Sequence, residues 1–138
     1  MNTYKFKDLY VGMRESFVHT ITQEDMKNFL SITGDINPLH KDSVFAQRHN
    51  FKEEVVYGLL SASLISTLGG VYLPGMYCLI QAVEIKYIFP VYVEDTLVIE
   101  GIVKELHESV QQAVIKIEIR NQYGNKVIRG SLKVGFLE

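Results

Sequence analysis

The run from Gly58 to Gly70 reads GLLSASLISTLGG. It holds no proline, and its leucines and alanine are good helix formers. Gly58 stands at its start and the Gly69-Gly70 pair at its end, so the pattern predicts a helix from Leu59 to about Leu68. Apolar residues fall on nearly every side of that helix. Such a helix is normally hidden inside a protein rather than laid on its surface. The rest of the chain has to supply the cover.

Downstream the pattern changes to strands. Leu79 to Phe89 alternates and stops at Pro90. Asp95 to Leu106 and Val110 to Asn121 are rich in β-branched residues. Tyr123-Gly124-Asn125 is hairpin-turn chemistry, and Lys126 to Phe136 closes the series. An earlier strand is predicted from Glu15 to Ile21. A curved antiparallel sheet wrapped around one apolar helix meets both needs, giving an α+β fold. One such unit leaves sheet edges open, so pairing with a second chain is expected.

Between the first strand and Gly58 the signals are helical. Thr22 followed by Asp25 resembles a capping box, and Met26, Phe29, Leu30 and Thr33 form a stripe at helical spacing. This helix is expected to stop before Pro38, because the residue preceding a proline avoids helical geometry. A short helix is expected from Ser43 to about His49.

The whole chain has 138 residues, 47% hydrophobic and 22% charged, with a formal net charge of −2. That length argues for a single domain over residues 1–138, and the composition excludes disorder. No apolar run is long enough for a membrane helix. The opening MNTYKFKDLY has no apolar core and does not read as a secretory signal. Without a basic face, nucleic acid is not an expected partner. Cys78 is the one cysteine and reads as a small core residue, which fits a cytoplasmic setting. The four histidines are scattered, so no metal site is expected.

The chemistry concentrates in GDINPLH, Gly34 to His40. A carboxylate and an imidazole stand five residues apart on a turn that Pro38 stiffens. A small residue follows at Ala46, and Gly58 opens the apolar helix 18 residues after His40. This stretch, from Thr33 to Ser66, resembles the signature of the MaoC-like, R-specific enoyl-CoA hydratase family. It covers about a quarter of the chain, and the order of elements agrees over all of it.

The resemblance implies a hot-dog fold and a reaction: addition of water to a trans-2-enoyl thioester, or the reverse dehydration of an (R)-3-hydroxyacyl thioester. It implies Asp35 and His40 as the catalytic pair that binds the water and shares the acid–base work. The backbone N–H of Gly58, at a helix N-terminus, is the implied donor to the thioester oxygen, with the N–H of Leu59 assisting. Asn37 supports the turn or orients the pair, and is counted with Leu59 and Ser66 among substrate-binding candidates. Ser66 falls where the family often carries a serine facing the active site. The expected partners are an acyl-CoA or acyl-carrier-protein thioester and a second copy of the chain, as a homodimer or dimer of dimers. No cofactor is implied.

The chain departs from the family pattern at Tyr57, where a histidine is common, and at Glu53-Glu54, where a proline is common. These departures point to a specialised pathway or a protein-borne substrate. Gly69 and Gly70 leave either room for a longer or branched acyl group or a helix cap. Lys41, Arg48, His49 and Lys52, with Arg129 and Lys133 on the last strand, are candidates to attract the phosphates of a pantetheine carrier. Two other readings use the same fold: a hot-dog thioesterase and a non-catalytic module that binds acyl thioesters.

Overall fold

The computed structural model describes residues 1–138. Five strands form one antiparallel sheet: β1 (Arg14–Thr20), β2 (Cys78–Tyr87), β3 (Thr96–His107), β4 (Gln112–Arg120) and β5 (Lys126–Phe136). Their order across the sheet is β1-β3-β4-β5-β2. The long crossover from β1 to the far edge carries three helices, α1 (Gln23–Thr33), α2 (Ser43–Arg48) and α3 (Gly58–Thr67).

Side chains alternate across the sheet as strand geometry requires. Leu97, Ile99 and Val103 of β3, Ile115, Ile117 and Ile119 of β4, and Leu132 and Val134 of β5 are buried in the core. Each such side chain contributes roughly 1.5–3 kcal/mol of burial. The register shifts by one residue in β2 between Ile80 and Ala82 and in β3 between Val103 and Glu105. Bulges of this kind bend a strand and increase its twist. The bent sheet lies against Ile65 and Leu68, the buried side of α3 and its continuation, in a hot-dog arrangement.

Local chemistry sets the other boundaries. Thr22 and Asp25 form the predicted capping box, with Thr22 Oγ1 accepting from the Asp25 N–H at 3.1 Å. His19 on β1 adds a 2.8 Å bond to the Asp25 carboxylate. Burial opposes the charge of Asp25, but these hydrogen bonds outweigh it and its pKa falls. α1 ends at Thr33 because Gly34 adopts φ 68°, where a side chain would be strained. The hairpin between β4 and β5 turns at Gly124, with the Asn121 side-chain oxygen accepting from Tyr123 and Asn125.

Two expectations about the apolar helix need correction. It does not end at Gly69-Gly70. The chain continues from Leu68 to Tyr72 as a wider π-helical turn, with the Leu73 N–H donating to Leu68 O at 2.8 Å. Gly69 is buried, and a side chain there would meet Cys78 Sγ and Leu132 Cδ2 at 3.3 Å. The glycine therefore serves close packing, neither capping the helix nor opening acyl space. Burial pushes the Cys78 thiol up to about 11, which leaves it unreactive.

Nor is α3 hidden on every side. Leu59 is 67% exposed, and Ser63 and Ser66 are exposed too. The sheet covers one side of the helix, and the other faces out. No helix is long and apolar enough to cross a membrane.

Candidate active site

The turn that follows α1 is held by its own side chains. The Asp35 N–H donates to Thr33 Oγ1, Asp35 Oδ1 accepts from the Asn37 N–H at 3.1 Å, and Asn37 Oδ1 accepts from the Leu39 N–H at 2.9 Å. Asn37 thus caps a short 3-10 turn, Pro38 to His40, with the proline at its first position. Pro38 fixes the backbone of a segment that would otherwise be a loose loop.

That turn presents His40 to the start of α3. His40 Nδ1 lies 2.6 Å from the backbone oxygen of Val55. A carbonyl can only accept, so the proton of the neutral ring sits on Nδ1. Nε2 keeps its lone pair and has no protein partner. Val55 is itself fixed, its N–H donating to Leu39 O at 3.1 Å. The imidazole is therefore held by the very segment that leads into the helix.

Gly58 begins α3 with Tyr57 as N-cap, and the Tyr57 side chain makes no capping bond to the helix. The first backbone bonds belong to Leu60 and Ser61, both donating to Tyr57 O. The N–H groups of Gly58 and Leu59 have no acceptor within the protein. Free amides at a helix start carry partial positive charge. A side chain at Gly58 would come within 3.0 Å of the Tyr87 ring, so only glycine keeps this approach open without moving that ring.

His40 and Gly58 line one cavity of about 420 Å³. Its walls include Phe51, Val56, Tyr87, Val91 and Ile128, which come from three separate segments of chain. Asp35 does not line it; the residue stands exposed on the turn beside it. Tyr57 joins the two parts. Its hydroxyl donates to Asp35 O at 2.9 Å, and its ring packs on His40 at 4.3 Å and on Phe29 at 4.8 Å. Its phenol is harder to ionise than usual, first through burial and then through the charge of the nearby Asp35 carboxylate.

The other sequence candidates fall elsewhere. The Asn37 side chain is used in the turn. The Leu59 side chain points to the exposed side of α3, leaving only its N–H for the site. Ser66 does not line the cavity, because the side of the helix that carries it is exposed. Ser61 lines the cavity instead. Its signal was the i, i+3 spacing from Gly58, which puts both on one side of a helix. Tyr57 is more than a departure from a pattern: it is 3% exposed and contacts both members of the pair.

The positive residues do not converge here. Lys52 rests over the Tyr92 ring at 4.5 Å, and His49 bonds back to Phe45 O. Arg129 and Lys133 are exposed on β5 and do not line the cavity. A larger groove, about 850 Å³, runs over β2, β4 and β5 and includes Arg129. Two of its lysines, Lys116 and Lys126, are already paired with Glu118, and these bonds hold its carboxyl down at about 2. No group of three or more His, Cys, Asp or Glu side chains is gathered to share a metal ion.

The chain has relatives among known proteins. The family profile described as MaoC like domain matches residues 12–125. A 3-hydroxybutyryl-CoA dehydratase of Methylorubrum extorquens is 36% identical over 101 residues, covering 73% of this chain and 64% of that protein, so the match spans just under two thirds of the relative. An (R)-specific enoyl-CoA hydratase of Aeromonas caviae is 30% identical over 128 residues, covering 93% and 96%. Among solved structures, the unliganded R-hydratase of Pseudomonas aeruginosa superposes with a TM-score of 0.89 at 28% identity, over 97% of this chain and 86% of that one.

Proposed function

The chain belongs to the MaoC like domain family, and from that premise we propose that it is a hydro-lyase that adds water to a trans-2-enoyl thioester, or removes it from the (R)-3-hydroxyacyl thioester. The observation that carries this reading is that one cavity is lined both by His40, whose Nε2 has no protein partner, and by Gly58, whose amide is unpartnered.

The chemistry follows from that placement. The thioester oxygen sits at the Gly58 N–H, with the Leu59 N–H beside it, and the acyl chain enters the apolar part of the cavity. A water molecule is held at His40 Nε2, and for Asp35 to share it the carboxylate has to reach in from the exposed turn beside the cavity. As its oxygen bonds to carbon 3, its proton passes to the pair and charge moves to the thioester oxygen. The amide stabilises that charge; one such donor is worth about 2.7–4 kcal/mol in a dry site. The pair then returns a proton to carbon 2 and ends as it began. Val55 O holds the imidazole proton on Nδ1, so Nε2 is always the nitrogen that faces the reaction. The carrier of the acyl group is coenzyme A or acyl carrier protein.

The test is direct. Incubated with trans-2-enoyl-CoA esters of graded length, the protein is expected to remove the conjugated-enoyl absorbance without releasing free thiol. Thiol release would identify a thioesterase. Binding with no absorbance change at any length would identify a non-catalytic module.

We also infer that a second copy completes the molecule. β2 is an edge strand, and Leu79, Val83 and Tyr87 on it are 46–52% exposed. These apolar side chains and the strand's free hydrogen-bonding edge suit an antiparallel partner of the same sequence. Light scattering is expected to read at least twice the chain mass. A monomer at micromolar concentration would overturn this.

A further inference from the structure

Ser61 is 1% exposed, and its Oγ is buried with no hydrogen-bond partner. Buried hydroxyls are rarely left unpaired, and a serine inside a helix usually donates back to the carbonyl three or four residues earlier. Two hydroxyls of this chain do so: Ser63 Oγ donates to Leu60 O at 2.6 Å, and Thr33 Oγ1 to Phe29 O at 2.9 Å. Ser61 makes no such bond although it is buried. The carbonyl four residues before it, Tyr57 O, already accepts the N–H groups of Leu60 and Ser61.

Ser61 is one of the residues that line the cavity holding His40 and Gly58. Its neighbours in that wall, Val56, Val91 and Ile128, are buried hydrocarbon and offer it no partner. Ser61 follows Gly58 by three residues on the same side of α3, about 4.5 Å further along the helix axis. With the thioester oxygen at the Gly58 amide, the hydroxyl falls alongside the acyl chain rather than at the thioester. A plain alkyl tail would leave it unpaired.

We propose that the acyl group taken by this protein carries an oxygen substituent, a hydroxyl or a keto group, beyond the reacting carbons, and that Ser61 Oγ pairs with it. A serine hydroxyl both donates and accepts, so it suits either group. The idea rests on the hydratase reading for where the thioester sits. A site built to pair with a substrate oxygen discriminates against the analogue that lacks it, because its own polar group is then stranded.

The experiment compares trans-2-enoyl-CoA esters matched in length, with a plain, a hydroxylated or a keto-bearing tail. The unaltered protein is expected to favour one oxygenated ester over the plain one by about tenfold in kcat/KM, mainly through KM. In Ser61→Ala the ratio should fall to about one, the plain ester gaining and the oxygenated ester losing. Which oxygenated arm responds tells hydroxyl from keto. No preference in the unaltered protein, or the same preference in both proteins, would overturn the proposal. If no ester is hydrated at all, the hydratase reading fails. Calorimetric binding of the saturated plain and oxygenated acyl-CoA esters to both proteins then still decides the role of Ser61.

Discussion

His40→Ala is expected to lower kcat for any enoyl thioester that the unaltered chain hydrates by about 10²–10⁴-fold, the range for loss of a positioned acid–base group. The effect should be large because His40 is the one imidazole in the cavity and its orientation is fixed from outside, by Val55 O at 2.6 Å. Asp35→Asn tests the other half of the pair with less disturbance. Asparagine keeps a side-chain oxygen for the Asn37 N–H, so the turn survives while the charge is lost. A loss in the same range is expected. Tyr57→Phe should lie between: it keeps the ring against His40 and Phe29 and gives up only the bond to Asp35 O. A loss of about tenfold or less fits one neutral hydrogen bond. Circular dichroism should show all three variants folded. Full turnover by both His40→Ala and Asp35→Asn would remove the proposed mechanism.

The ranking of these variants also shows what could be seen before the fold was. GDINPLH announced the turn, and the capping box at Thr22 and Asp25 announced the helix before it, because both are made of near neighbours in the chain. The β5 strand, Lys126–Phe136, was legible to the residue, since Tyr123-Gly124-Asn125 leaves the chain little choice but to reverse there. Tyr57 was legible only as a departure. Its contacts reach back 22 residues to Asp35 and 28 to Phe29, and no local pattern encodes them. Gly69 misled for the same reason. Two adjacent glycines favour a helix end, but the chain carries on past them in a π-helical turn, and Gly69 is packed where a Cβ would meet Cys78 and Leu132. The cavity wall from Tyr87 to Val91 and at Ile128 is likewise a product of tertiary packing. Ser61 is the instructive case: its spacing from Gly58 was in plain view, but only burial shows that its hydroxyl is unpaired.

The largest stability effect is expected at Gly130→Ala, far along the chain from the signature. Gly130 on β5 lies opposite Ile85 on β2. A Cβ built there would fall inside the van der Waals envelope of the Glu84 carbonyl oxygen and 2.9 Å from Ile85 Cα. Both neighbours are backbone, so no side-chain rotation relieves the clash; the strands have to move apart. β2 sits at the end of the sheet and pairs with β5 alone. Separation there breaks ladder bonds that nothing else replaces. A loss of about 3 kcal/mol or more is expected, the upper part of the range for overpacking. It should appear as a lower urea midpoint, with β2 amides losing protection from hydrogen exchange first. Because β2 ends at Tyr87 and runs on into the cavity wall, KM should rise as well. Gly70→Ala is the control. Nothing lies within 4 Å of a Cβ at that position, and its φ is not in the left-handed region. Its expected change is neutral to about 1 kcal/mol stabilising. If Gly130→Ala proved as harmless as Gly70→Ala, the close approach of β2 to β5, and with it the position of Tyr87 against Gly58, would have to be redrawn.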